Sequence, residues 1–245
     1  MKKAKKLIFL SLVLIVLLLV YFNVKNETPK DIYNENIDSI VELKVKGDNY
    51  LNYGTGIFIN DNYIISNAHL SNLQEETKYF IRFSYDIDYY EVELIDYYSD
   101  NDLLILKTND FNKNKIKLCK DDNFEIGDKV YAIGNSLNNG IGITEGIISV
   151  DKVNIRYNGK IQTFIQADVL IASGNSGGAL LNKKGELIGI TTFSLKDEKA
   201  DIIYGMCYAI PIWAIVELIE MYIWIFIDLI AWWSHYAIFC AICTL

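Results

Sequence analysis

The sequence predicts an all-β protein built as two six-stranded antiparallel β-barrels, with an N-terminal transmembrane helix before them and a hydrophobic C-terminal helix after them. Three observations carry this expectation. Short apolar runs bounded by Gly, Asn and Asp recur through the middle of the chain. They fall into two sets of six, separated by a polar connector at about 108–128 that is rich in Lys, Asn and Asp. Stretches with few or no charges occupy both ends. The expected organisation is therefore residues 1–28 as basic stub and signal anchor and 31–215 as the folded domain. Within that domain, barrel one spans about 38–107 and barrel two about 129–210. Residues 216–245 form an apolar tail.

At the N-terminus, Lys2, Lys3, Lys5 and Lys6 precede Leu7 to Phe22, a run without a charge. No small-x-small cleavage site comes after it, because the run continues into Tyr21-Phe22-Asn23-Val24-Lys25. An uncleaved signal anchor is expected in preference to a cleaved signal peptide. At about 1.5 Å per residue the run is slightly short for a hydrocarbon core of about 30 Å, and snorkelling lysines extend it. The lysines stay in the cytoplasm, which places the chain beyond residue 24 outside.

Barrel one opens at residues 40–46, where Val41, Leu43 and Val45 alternate with Glu42, Lys44 and Lys46. Further strands are expected near 55–59, 62–66, 79–84, 90–96 and 103–107. Barrel two is expected from runs near 129–133, 143–150, 162–167, 179–182, 187–193 and 203–209. Such closure leaves no unpaired edge. After it, Pro211 to Glu220 reads as a helix with proline in its first turn and Glu217 and Glu220 on one face. From Met221 to Leu245 only Asp228 and His235 are ionisable. That stretch is long enough to span a bilayer, at some cost for Asp228, and equally fits a helix packed on the domain.

Composition narrows the function. The chain has 23 basic and 31 acidic residues, and setting aside the four N-terminal lysines leaves 19 against 31, a net of −12. Such a surface repels phosphate backbones, which excludes nucleic acid as the expected partner. Cys119, Cys207, Cys240 and Cys243 make no disulfide framework. Cys240-Ala-Ile-Cys243 has metal-like spacing without a second ligand pair, so no metal and no cofactor is expected.

Three segments carry chemistry. Ser66-Asn67-Ala68-His69 supplies an imidazole, Asp102-Leu103-Leu104-Ile105-Leu106 a carboxylate, and Gly174-Asn175-Ser176-Gly177-Gly178 a hydroxyl. Alone, each has a plainer meaning, such as a tight turn or a structural histidine. In the order His, Asp, Ser they match a triad in which a carboxylate-held imidazole activates a serine. The only other histidine, His235, lies in the apolar tail, so a histidine base would be His69. Glycines around the serine permit the dihedrals and close approach that an oxyanion site needs. The chain reads as a serine hydrolase.

At the level of whole motifs the chain resembles the chymotrypsin-type (trypsin-like) serine proteases of the bacterial HtrA/DegP-like branch. Gly54-Thr55-Gly56-Ile57-Phe58-Ile59 is similar to that branch's G-S-G-F-I-I strand, and Tyr63 to His69 to its strand ending T-N-A-H. Asp102 to Lys107 resembles D-L-A-V-L-K, and Gly127 to Asn135 resembles G-D-x-V-x-A-I-G-N. Thr144 to Ser149 is similar to T-x-G-I-V-S. Tyr204-Gly205 with Tyr208-Ala209-Ile210-Pro211 resembles the Y-G-F-A-I-P end of the protease domain. The likeness covers about residues 38–215. It implies His69 as general base, Asp102 as the group orienting it and Ser176 as nucleophile, with the N–H groups of Gly174 and Ser176 as oxyanion hole. Asp96 and Asp100 are rival carboxylates, and Asp102 is preferred because the apolar strand starts directly after it.

The resemblance also implies a polypeptide substrate, and it has departures. The PDZ domain usual in that branch has no counterpart in the 34 residues after Pro211, so PDZ-driven regulation and cage assembly are not carried over. Asn175 replaces the aspartate with which digestive relatives anchor a freshly cut N-terminus, so activation by such a cut is not expected. Leu170 matches the floor of the S1 pocket, and Thr191 stands where glutamyl-specific relatives have a histidine. Both point to an apolar, small-to-medium P1 residue. The expectation is a membrane-anchored extracytoplasmic serine endopeptidase, with envelope protein quality control as its setting. The alternative is a catalytically inactive, peptide-binding sensor on the same fold. An esterase is disfavoured, since its G-x-S-x-G elbow sits between a strand and a helix and its chain order is Ser, Asp, His, and neither feature fits.

Overall fold

The computed structural model describes residues 6, 9–15, 27–108, 115–120, 124–157, 159–196 and 202–218. Among these residues twelve strands form two closed barrels. In the first, β1 (Ile40–Lys46), β2 (Leu51–Phe58), β3 (Tyr63–Ser66), β4 (Lys78–Arg82), β5 (Tyr90–Tyr98) and β6 (Leu103–Lys107) run around the barrel as β1-β2-β3-β6-β5-β4. The pairing of Leu43 with Ile81 closes β4 onto β1. In the second, β7 (Lys129–Gly134), β8 (Gly142–Tyr157), β9 (Lys160–Ala167), β10 (Gly178–Asn182), β11 (Leu187–Lys196) and β12 (Ile202–Pro211) run as β10-β11-β12-β9-β8-β7. Leu180 opposite Ala132 closes that ring.

Period-two alternation sorts side chains between three apolar clusters. Val41, Leu43 and Val45 fill the inside of barrel one with Phe58, Ile81 and Leu104, while Ile40 on the opposite face joins the seam between barrels. Val130 and Ala132 point into barrel two, and Tyr131 and Ile133 point to the seam. Fully burying one such aliphatic side chain stabilises by about 1.5–3 kcal/mol, so the seam is a substantial part of the core. The exception to the alternation in β1 is Glu42, which is buried and bound by the Arg82 guanidinium at 2.6 Å and the Tyr89 hydroxyl at 3.2 Å.

Two helices complete the seam. Helix α1 (Pro29–Asn36) lies outside the elements expected from periodicity, although its start is written as Thr28-Pro29-Lys30-Asp31. The Thr28 hydroxyl accepts from the Asp31 N–H and the Asp31 carboxylate accepts from the Thr28 N–H, a capping box with proline in the first turn. Ile32 buries its side chain in the seam, and the Tyr33 hydroxyl donates to the Ile141 carbonyl at 3.0 Å. Helix α2 covers residues 212–218 and packs Ile212 and Ile215 into the same cluster. The run expected at Met221 to Leu245 lies outside the described residues, as does most of Leu7 to Phe22, of which residues 9–15 are helical. Among the described residues no helix is long and apolar enough to cross a membrane. Cys119 and Cys207 are not disulfide-linked, and burial pushes the Cys207 thiol up to about 12.

Candidate active site

His69 sits on a single 3-10 turn, Ala68–Leu70, directly after β3. Asp102 immediately precedes β6, in a left-handed conformation with φ of +54°. Aspartate tolerates that region better than most residues. The conformation turns both ends of Asp102 toward the 67–69 segment. Its carbonyl accepts from the Ala68 N–H at 3.2 Å and from the Asn67 amide at 3.0 Å. Its carboxylate accepts from the His69 backbone N–H through Oδ1 at 2.8 Å and from His69 Nδ1 through Oδ2 at 2.8 Å. Asp102 is 1% exposed whereas the His69 side chain is 37% exposed, so the carboxylate is sealed in and the imidazole edge reaches the cleft. The rivals are otherwise engaged: Asp100 pairs with Lys160, and Asp96 accepts from the Tyr97 N–H at 2.6 Å.

Ser176 arrives from barrel two on the loop that leads into β10. That loop is pinned to β2 of barrel one. The Thr55 N–H donates to the Ser176 carbonyl at 2.8 Å, and the Thr55 hydroxyl donates to the Gly174 carbonyl at 2.8 Å while accepting from the Asn135 N–H at 2.9 Å. Gly174 and Gly177 have positive φ, +95° and +83°. A Cβ on Gly174 would run into the Asn135 carbonyl oxygen, and one on Gly177 into the Thr55 carbonyl oxygen and Ser66 Oγ. Both positions need glycine for space as well as for dihedral. The Ser173 carbonyl accepts from the Leu137 N–H at 2.7 Å, and the Gly174 N–H stands at the opposite side of that same peptide. Among the described residues neither the Gly174 N–H nor the Ser176 N–H has an acceptor. N–H groups without an acceptor on such a glycine-bounded loop are of the kind that can receive developing negative charge.

The Ser176 hydroxyl itself donates to the Thr192 carbonyl at 3.0 Å and not to His69. Thr192 lies on β11, and its Oγ1 accepts from the Asn67 amide at 3.2 Å, so the residue before the histidine turn is tied to the strand behind the serine. The structure thus joins His69 to Asp102 directly and places Ser176 in the same constellation through Thr55, Asn67 and Thr192. Leu170, in the loop before Ser176, is 55% exposed, and its carbonyl accepts from Thr144 Oγ1 at 3.0 Å. Thr191 is buried, and its hydroxyl is spent on the Asn175 carbonyl at 2.7 Å.

Sequence reasoning did not single out four residues that hold this geometry: Thr55, Asn67, Thr192 and Tyr157. The first two lie inside recognised motifs, Gly54-Thr55-Gly56 and Ser66-Asn67-Ala68-His69, where their side chains had no assigned task. Thr192 is one polar residue in an apolar strand. Tyr157 donates from its hydroxyl to Asp102 Oδ2 at 3.1 Å, although 55 positions separate the two.

Two closed six-stranded barrels that meet at a His–Asp pair and a G-x-S-G-G loop define the chymotrypsin-like class of fold and site. The family model for the trypsin-like peptidase domain matches residues 54–190, and the chain belongs to that family. It is 36% identical over 163 residues to the serine endoprotease DegS of Haemophilus influenzae, a match covering 66% of this chain and 47% of that protein. It is also 36% identical over 172 residues to the probable serine protease do-like of Buchnera aphidicola subsp. Acyrthosiphon pisum, covering 68% of this chain and 34% of that one. The chain thus spans about a third to a half of the length of these curated relatives. Among solved structures it is similar to the HtrA-type protease AlgW with tripeptide, with a TM-score of 0.69 at 25% identity over 79% of this chain and 63% of that one.

Proposed function

We propose that this chain is a serine endopeptidase in which His69 is general base, Asp102 orients it and Ser176 is nucleophile. The observation that carries this reading is the buried Asp102 carboxylate, held 2.8 Å from His69 Nδ1 in the constellation that includes Ser176. With Nδ1–H committed to the carboxylate, Nε2 is the free basic nitrogen facing the cleft. A rotation about the Ser176 side chain moves Oγ from the Thr192 carbonyl toward Nε2, a tightening common when substrate enters such sites. Nε2 then takes the hydroxyl proton as Oγ attacks the scissile carbonyl. The oxyanion is received by the Gly174 and Ser176 N–H groups, and the imidazolium returns the proton to the leaving amine. Water repeats the cycle on the acyl-enzyme.

The second reading, a peptide-binding sensor without turnover, is favoured by one observation, the Ser176 hydroxyl resting on Thr192. A fluorophosphonate probe separates the two. Covalent labelling of the wild-type chain at Ser176, absent in Ser176→Ala, is expected for the endopeptidase. An unlabelled wild-type chain would overturn the endopeptidase reading.

The exposed, aliphatic Leu170 and the committed hydroxyl of Thr191 support a preference for apolar, small-to-medium P1 residues. A pocket without a buried carboxylate does not repay the desolvation of a basic P1 side chain. In a peptide library varied at P1, Val, Ala, Leu or Ile is expected to give the highest kcat/KM. Preference for Arg, Lys or Glu overturns the assignment.

The lysine-flanked run Leu7 to Phe22 supports a membrane anchor with the protease domain on the extracytoplasmic side, where envelope proteins are its substrates. Similar proteins named probable periplasmic serine endoproteases agree with that side. In sealed vesicles made inside-out, the domain is expected to resist added protease until detergent is supplied. Digestion in intact inside-out vesicles places it in the cytoplasm instead.

A further inference from the structure

The longest strand among the described residues, β8, leaves barrel two and continues with β9 as a hairpin whose register runs out to the pair Tyr157–Lys160. The tip of this hairpin reaches the turn of barrel one that carries Asp102. It touches that turn at three points. Tyr157 donates to Asp102 Oδ2 at 3.1 Å, the Lys160 ammonium pairs with the Asp100 carboxylate, and the Gln162 amide donates to the Asp100 carbonyl.

Tyr157 is itself fixed. Its ring stacks on Phe193 of β11 at a centroid distance of 5.2 Å with an interplanar angle of 3°, and meets Phe164 of β9 edge-on at 5.8 Å. Phe193 stacks in turn on Tyr208 of β12 at 5.1 Å. Burial, and then the adjacent Asp102 carboxylate, push the Tyr157 phenol well above its ordinary range, so it stays a neutral donor at working pH. Asp102 Oδ2 therefore receives two hydrogen bonds, one from His69 and one from Tyr157, while Oδ1 receives the His69 N–H. The Tyr157 bond stops the carboxylate from rotating about its χ2 bond and fixes which oxygen lies in the imidazole plane.

We propose that Tyr157, delivered by the β8–β9 hairpin and held by the Phe193–Tyr208 stack, is a positioning residue for Asp102. The hairpin couples the packing of barrel two to the alignment of the histidine base in barrel one. The proposal rests on the endopeptidase reading. Its content is that Tyr157 acts through Asp102 and touches neither substrate nor the reacting atoms.

The test uses the full chain with a chromogenic peptide and four proteins: wild type, Tyr157→Phe, Asp102→Asn and the double variant. Phenylalanine keeps the aromatic stack and removes only the hydroxyl. The expected result is a fall of about 10-fold in kcat for Tyr157→Phe with KM within about 2-fold, as for an interaction made in the transition state. In the Asp102→Asn background the same change is expected to alter kcat by less than about 2-fold, because the group through which it acts is already disabled. An equal loss in both backgrounds, a loss confined to KM, or no loss at all overturns the proposal. Should Tyr157→Phe melt well below the wild type, the low-field proton resonance of the His69–Asp102 hydrogen bond, read below its melting temperature, decides instead. A resonance at the wild-type position overturns the proposal, and a displaced or broadened one supports it. Failure of the endopeptidase reading shows separately, as a wild-type chain that neither cleaves peptide nor labels at Ser176.

Discussion

Ser176→Ala is expected to lower kcat by about 10⁶-fold, the largest effect any single change in this chain should have. The argument is one of division of labour. In the proposed mechanism the Oγ atom forms the covalent bond to substrate, and no neighbouring side chain offers a replacement nucleophile on the loop between Gly174 and Gly178. The free N–H groups of Gly174 and Ser176 belong to the backbone and survive the substitution, so residual catalysis over water of about 10³–10⁴ should remain from the oxyanion site and substrate binding. Stability should move little. The change removes one hydrogen bond, from Oγ to the Thr192 carbonyl, with a net value of about 0.5–1.5 kcal/mol. Steady-state turnover of a P1-apolar peptide, with a thermal melt of the same preparations, measures both. Similar turnover by the wild type and the variant would remove the nucleophile assignment.

Asp102→Asn is expected to cost about 10⁴-fold in kcat, with the fold retained. Both oxygens of this carboxylate are in use: Oδ1 by the His69 N–H, Oδ2 by His69 Nδ1 and the Tyr157 hydroxyl. An amide of the same shape turns one of those oxygens into an N–H donor. If it faces the backbone, donor meets donor at the His69 N–H. If it faces the imidazole, Nδ1 must become the acceptor, which moves the ring proton to Nε2 and removes the base. Both outcomes cost activity, and the second also directs the wrong atom at Ser176. Because Asp102 is buried, water does not step in to relieve the conflict. Activity within about 10-fold of the wild type would show that Asp102 does not orient the base.

Most of the barrel architecture is legible in the sequence because alternation is local. In β1 and β7 the residues that face the barrel interior and those that face the seam are two apart, and both sets are apolar or framed by polar neighbours. The edges are less legible. Strand β2 starts at Leu51, ahead of the apolar run expected near 55–59, since Leu51 to Tyr53 pair with Lys44 to Lys46 through backbone bonds that need no apolar side chain. Strand β8 runs to Tyr157 and not to about 150. Register shifts between Ile148 and Val153 break the simple alternation there, and the strand beyond them projects from the barrel. The Asn158-Gly159 pair is a strong hairpin signal and the available clue to this extension. Helix α1 is obscured by its shortness, although its capping residues are in plain view.

By itself the order of residues determined the class of the molecule: twelve short apolar runs in two sets, and a His, Asp, Ser succession whose neighbours match a family. These features survive without coordinates because each is held in a window of a few residues. Tertiary structure alone decided how Asp102 is held. Its left-handed backbone, its burial, the tyrosine from the far barrel on Oδ2 and the resting place of the Ser176 hydroxyl on Thr192 all depend on contacts between residues 16 to 125 positions apart. Such contacts arise from the registers of twelve strands closing at once, and no single segment carries that information.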